Sequence, residues 1–289
     1  MKNLKYYFKK ARKEKFAIGQ FNFSTLSQMR AIVAAAEKLK APVILGTSEG
    51  EGRFFGLEEA TALRNVLREK TGLPIFLNLD HGKSFENSKK AIDAGYDMVH
   101  FDGSKLTLQE NIKITKEVKK YANWRGIFVE GEIGVLGTDA SKLYSEKLEI
   151  KEENLTKPVE ALKYFREAKP DLLAVSIGNF HGMAACGGDP NLRIDLLDEI
   201  NKIFKGKILL VLHGGSGTPA GDIKKAINLG IVKININTEL RIAFTKALTE
   251  ALSENQNEAT PYKYLPQVES AVQAVVEEKI RLFGSEGKA

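Results

Sequence analysis

Eight short apolar runs, most of them rich in β-branched residues, alternate along the chain with longer stretches of helical periodicity. The runs are FAIGQFNF (16–23), PVILGTS (42–48), PIFLNLD (74–80), MVHFDGS (98–104), GIFVEGEIG (126–134), LLAVSIG (172–178), ILLVLHG (208–214) and IVKININ (231–237). Between them lie segments such as LSQMRAIVAAAEKLK and LQENIKITKEVKKY; several end at Gly or run into Pro, as helix C-termini tend to. Alternation of this kind builds parallel strands joined by right-handed crossovers. Eight such units in about 240 residues is the count and size of a closed barrel. An open doubly wound sheet would place a GxGxxG turn after the first strand, and none is there. The expected fold class is therefore α/β, a (β/α)8 TIM barrel with a C-terminal helical extension over 261–289. The whole chain, 1–289, is expected to form one barrel domain. The one long irregular segment, 135–157, falls between the fifth and sixth strands; a loop of that length in a compact barrel is usually functional, often a lid.

Composition narrows the partners. The 43 Lys and Arg are interleaved with 37 Asp and Glu, giving a formal net charge of +6. That is a solvated mixed-charge surface whose modest positive field also suits a phosphorylated substrate. No basic run is interleaved with aromatics, so no nucleic-acid partner is expected. The N-terminus is basic and amphipathic without an apolar signal core, and no run of 18 apolar residues exists, so no membrane partner is expected. The one cysteine, Cys186, allows no intrachain disulfide and agrees with a cytoplasmic location.

In a barrel of this type the chemistry sits at the C-terminal ends of the strands. Those ends carry Asn22; Ser48 and Glu49; Asp80 and His81; Asp102; Glu130 and Glu132; Asn179 and His181; His213; Asn235 and Asn237. Three of the four histidines, His81, His181 and His213, lie at or just past strand ends. Three neutral imidazoles with a free fourth position make a catalytic zinc site. The fourth, His100, sits inside its strand and is read as structural. Two further segments suit phosphate: HGGSGTP (213–219), whose glycines let the backbone approach an anion, and NINTEL (235–240), which opens a helix. In this fold the loops after strands seven and eight often bind phosphate. A Schiff-base enzyme on the same barrel would need an inward lysine, for which Lys233 is the candidate.

LDHG (79–82), IGNFHG (177–182), LHGGSG (212–217) and KININTEL (233–240), in this order, resemble the class II (zinc-dependent) fructose-bisphosphate aldolases and the similar tagatose-bisphosphate aldolases. The resemblance runs from 19–50 to 277–285. It implies a zinc ion, or another divalent metal, on His81, His181 and His213, with a monovalent cation as a further cofactor. It implies Asp80 as the catalytic acid–base, and Asp102 and Glu132 as holders of the metal at an alternative position. Asp80 would turn inward just past its strand end, with Gly82 supplying the freedom for the turn. The dihydroxyacetone phosphate pocket maps onto Gly182, Gly214, Gly215, Ser216, Asn235, Ile236, Asn237 and Thr238, with Asn22 and Ser48 near the substrate. Lys279, with Arg281 second, matches the basic residue that grips the second phosphate. Family members often carry a glutamate in the loop after strand five, for the proton on the ketone-side carbon. This chain departs there and offers Asp139 and Glu146 instead. The implied activity is reversible cleavage of fructose 1,6-bisphosphate to dihydroxyacetone phosphate and glyceraldehyde 3-phosphate through a zinc-stabilised ene-diolate, in a homodimer or homotetramer. A tagatose-1,6-bisphosphate aldolase and a non-catalytic sugar-phosphate binding protein are the alternatives.

Overall fold

The structure, a computed structural model, describes the chain except residues 1, 137–142, 146–148, 150, 185–190 and 255. Each expected run carries one barrel strand, and the third extends past its run so that Asp80, expected just beyond the strand, lies within it: β1 Ile18–Asn22, β2 Val43–Ser48, β3 Ile75–Gly82, β4 Met98–Phe101, β5 Phe128–Ile133, β6 Leu172–Val175, β7 Leu209–Leu212 and β8 Ile231–Ile236. All pair in parallel, and β1 closes on both β2 and β8. The helices are α1 Leu4–Glu14, α2 Leu26–Leu39, α3 Glu49–Phe55, α4 Leu57–Thr71, α5 Phe85–Asp93, α6 Leu108–Arg125, α7 Pro158–Ala168, α8 Ile194–Phe204, α9 Ala220–Asn228, α10 Thr238–Glu254 and α11 Pro261–Leu282. Several begin where the side chains dictate. Thr25 with Gln28, Ser48 with Glu51 and Thr107 with Glu110 form reciprocal capping boxes, each satisfying two backbone N–H groups that a helix start leaves open. Among the described residues no helix is long and apolar enough to cross a membrane.

The barrel interior changes character with height, and this positions the site. At the N-terminal end Ile18, Ile44, Phe76, Met98, Leu172 and Val211 pack on Leu4, Tyr7, Phe8 and Ala11, so the amphipathic α1 plugs the bottom. One pleat higher, on the same inward parity, stand Gln20, Asn78, His100, Glu130 and Lys233, all buried. The C-terminal extension is latched to the barrel: Ala17 N–H donates to Phe283 O at 3.0 Å, and Gly287 N–H to Leu39 O at 2.8 Å. Within the segment 135–157 the described residues include two short regular elements. Leu143–Tyr144 pairs in parallel with Met183–Ala184, and Glu152–Asn154 forms a 3-10 turn. The long loop after β5 is thereby joined to the loop that carries His181.

Candidate active site

In a regular strand neighbours point to opposite faces, so Asp80 and His81 could not both enter the barrel mouth. The β3–β4 ladder shifts register between Leu79 and Gly82, and His81 takes a left-handed φ of +55° there. Both side chains then line the same pocket. The expectation about Gly82 is corrected. Gly82 lies within the strand and is not left-handed. A Cβ on it would stand 2.8 Å from Leu79 Cδ2 and 3.1 Å from His100 O, so close packing is what requires the glycine.

His81 Nδ1 lies 2.8 Å from Asp102 Oδ2, and His213 Nε2 lies 2.6 Å from Glu130 Oε1. Each carboxylate draws the ring proton to its own side. His81 Nε2 and His213 Nδ1 are left facing each other at 3.0 Å, and the Asn235 amide, 3.3 Å from His213 Nδ1, points at that same lone pair. Two ring nitrogens this close are held together by a shared proton or by a metal cation. Their separation is near that of neighbouring ligands about 2.0–2.1 Å from a tetrahedral zinc. The His181 ring stands 4.6 Å from that of His81 and 6.2 Å from that of His213, centroid to centroid. Burial, helped by the His81 and His213 rings, holds the His181 imidazole well below its ordinary pKa; burial also lowers that of His213. Neutral imidazoles are what a divalent cation needs. The donor set therefore fits a metal ion. Glu132 Oε2, buried without a hydrogen bond and 3.6 Å from His81 Nδ1, forms a second ligand group with His81 and Asp102 on the other side of the His81 ring.

Asp80 is held away from the facing nitrogens. Its Oδ1 accepts from Asn235 Nδ2 and its Oδ2 from Asn22 Nδ2, both at 2.9 Å. Oδ1 stays 4.0 Å from His81 Nε2 and from His213 Nδ1. Burial would raise the Asp80 carboxyl, but the imidazoles of His81, His100 and His213 and the Lys233 ammonium overcome it and keep the pKa well below the usual carboxylate value. The result is a charged, oriented base at neutral pH. Lys233, fully buried, pairs with Glu130 Oε2 at 2.7 Å and donates to Asn235 Oδ1 at 2.8 Å. It is committed to that network rather than open to a Schiff base.

The same pocket is lined by Gly182, Gly214, Ser216, Asn235, Asn237 and Thr238. Gly214 has φ +61°, and a Cβ there would stand 1.8 Å from Phe180 O, so the β7 turn lies directly on the His181 loop. Asn237 Oδ1 is buried and unpaired. Other expected residues stand beside the pocket. Gly215 donates to Asn235 O at 3.1 Å, and Ile236 packs into the core outside the barrel. Ser48 caps α3. Lys279 pairs with Glu239 at 2.7 Å, and Glu239 accepts from Gly217 N–H at 2.9 Å, so Lys279 stands behind the anion loop. Arg281 pairs with Glu277 at 3.2 Å. Asp139 and Glu146 lie outside the described residues. Sequence reasoning missed the depth of the polar network. Glu51 accepts from Asn22 Nδ2 at 3.0 Å and from Arg241 Nη2 at 2.6 Å, and His100 sits at the centre of the cluster, its ring 4.6 Å from those of His81 and His213. Strand parity was the available signal, because His100 is two residues before Asp102 and so shares its inward face.

Comparison with known proteins agrees with this geometry. The family described as "Fructose-bisphosphate aldolase class-II" matches residues 2–288. The fructose-bisphosphate aldolase of Geobacillus stearothermophilus is 39% identical over 290 residues, covering 99% of this chain and 98% of the relative. The sulfofructosephosphate aldolase of Alkalicoccus urumqiensis is 38% identical over 279 residues, covering 96% and 95%. The crystal structure of the YdjI aldolase from Escherichia coli K12 superposes with a TM-score of 0.83 at 31% identity, over 100% of this chain and 99% of that one. The barrel, the metal-fitting histidine cluster and these matches together place the chain in the class II fructose-bisphosphate aldolase family, the metal-dependent carbon–carbon lyases.

Proposed function

We propose that this chain cleaves fructose 1,6-bisphosphate reversibly into dihydroxyacetone phosphate and glyceraldehyde 3-phosphate, with tagatose 1,6-bisphosphate as the alternative sugar. The observation that carries the reading is the placement of Asp80. It is fixed by two amides at the edge of a pocket that holds both the facing histidine nitrogens and the glycine-rich turn at Gly214. A divalent cation on His81, His181 and His213, zinc in this reading, supplies Lewis-acid polarisation of the substrate's ketone and neighbouring hydroxyl.

Asp80 takes the proton from the hydroxyl next to the bond that breaks. That oxygen becomes the aldehyde carbonyl, and the electron pair of the broken C–C bond passes to the ketone-side fragment. A second carrier on the loop after β5, Asp139 or Glu146, delivers a proton to that carbon, and in condensation each step reverses. Gly182, the turn from Gly214 through Gly215 to Ser216, and the segment Asn235, Ile236, Asn237 and Thr238 receive the ketone-side phosphate. The N-terminus of α10, which begins at Thr238, adds its dipole. Asn237 Oδ1 is free to accept a substrate hydroxyl. Asn22 aligns Asp80, and Asp102 and Glu132 would hold the cation at an alternative position. A cytoplasmic homodimer or homotetramer with a monovalent cation as a further cofactor rests on the family resemblance.

Two of the relatives are named for different sugars, fructose bisphosphate and sulfofructose phosphate. A coupled cleavage assay on both sugar bisphosphates, with metal analysis of the same sample, tests the proposal. Turnover of one of them that is lost with a chelator and restored by zinc is the expected result. Turnover that survives complete metal removal, or no turnover of either sugar in fully metallated protein, overturns it.

A further inference from the structure

His100 is fully buried in the middle of the site, and nothing in the reaction above uses it. Its Nδ1 accepts the backbone N–H of His81 at 3.2 Å, while its Nε2 faces Glu132 Oε2 at 3.1 Å without making a hydrogen bond. The contact with His81 falls where the β3–β4 ladder is broken, between Leu79 and Gly82. A buried backbone N–H that leaves its ladder must find another acceptor or carry the full cost of desolvation. The residue whose N–H this is also holds a left-handed φ of +55° with a full side chain, a strained conformation that persists only when its surroundings enforce it.

We infer that His100 is a positioning residue: its Nδ1 caps the slipped turn of β3, and so fixes the backbone conformation that sends His81 to the metal and Asp80 to the substrate from adjacent positions. A proton on Nδ1 would point at the His81 N–H. The contact therefore needs His100 Nδ1 unprotonated, as the acceptor of the His81 N–H. The inference rests on His81 being a metal ligand.

Asparagine places an acceptor oxygen where histidine has Nδ1, two bonds from Cβ. Glutamine instead reaches toward the position of Nε2, and leucine supplies neither. Zinc affinity, measured by competition with a chromophoric chelator on apo protein, is compared for wild type, His100→Asn, His100→Gln, His100→Leu and His81→Ala. The expected pattern is loss of binding in His81→Ala and a drop of about 10–100-fold in His100→Leu and His100→Gln, in the range of outer-sphere partners of metal ligands. His100→Asn should stay within about threefold of wild type, and kcat for sugar cleavage by zinc-saturated enzyme should follow the same order. Wild-type affinity in His100→Leu beside lost affinity in His81→Ala overturns the inference alone. Rescue by glutamine and not by asparagine also overturns it, and moves the role to Glu132. Unimpaired zinc binding in His81→Ala overturns the reading of the metal site itself. If His100→Leu does not fold, as judged by near-ultraviolet circular dichroism, the asparagine–glutamine comparison decides.

Discussion

His81 Nε2 and His213 Nδ1 face each other at 3.0 Å, and the opposite nitrogen of each ring is held by a carboxylate, Asp102 for one and Glu130 for the other. The carboxylates set the tautomers, and the tautomers leave two lone pairs converging. Lys233 neutralises Glu130 from beneath in a fully buried ion pair. Breaking such a pair by removing one partner is costly, since the other charge stays buried and uncompensated.

This arrangement makes metal affinity depend on residues that do not touch the metal. Glu130→Gln and Lys233→Met should each weaken zinc binding by about 10–100-fold, the usual effect of losing a carboxylate behind a ligating histidine. His213→Ala should lose the metal outright. Chelator-competition titrations measure all three, and wild-type affinity in His213→Ala would remove that residue from the site.

The anion loop depends on close approach of backbone to backbone. Gly214 is left-handed and its Cβ position is taken by Phe180 O. Gly214→Ala should raise KM for the sugar bisphosphate about tenfold or more, the worth of one charge-assisted hydrogen bond, with zinc content unchanged. Steady-state kinetics on metal-analysed protein check it.

Lys279 supports the same loop through Glu239. Lys279→Met should raise KM severalfold with little change in kcat, and Glu239→Gln should reproduce the effect. Inhibition by inorganic phosphate separates this from a direct grip on the second phosphate. Weaker inhibition in both variants supports the indirect role. A change confined to Lys279→Met and to substrates with two phosphates supports the direct one.

Gly131, between Glu130 and Glu132 on β5, has no room for a methyl group: a Cβ there would stand 2.0 Å from the hydroxyl oxygen of Tyr164, which is itself fully buried and bonded to Thr115 at 2.8 Å. Gly131→Ala should cost about 1–3 kcal/mol through overpacking, seen as a lower denaturation midpoint. Tyr164→Phe in the same chain should recover part of the loss.

Much of this was legible in the sequence. Parallel strands buried on both faces read as near-continuous apolar runs, so all eight strands stood out, and the fold's chemistry lies at their ends, which brought His81, His181, His213 and Asp80 to one mouth. What stayed hidden depends on exact backbone geometry. The left-handed turn at His81 leaves no mark in the sequence, because glycine at position 82 looked like the natural place for it. His100 lies within a strand, where a histidine is as readily a packed core residue as a partner of the site. Only the register shift between β3 and β4 shows that its ring receives the His81 N–H. Lys279 is in the expected helix, but its tie to Glu239 depends on how α10 and α11 pack, which no local pattern encodes.

The central claim is a division of labour between neighbours, with His81 on the metal and Asp80 on the proton. Asp80→Ala tests it most directly, through zinc stoichiometry and kcat measured on the same preparation. The account predicts one zinc per chain, as in wild type, with kcat lowered by about 10²–10⁴-fold, the range for loss of a general acid–base. Loss of zinc from Asp80→Ala, or full turnover with zinc retained, would contradict it.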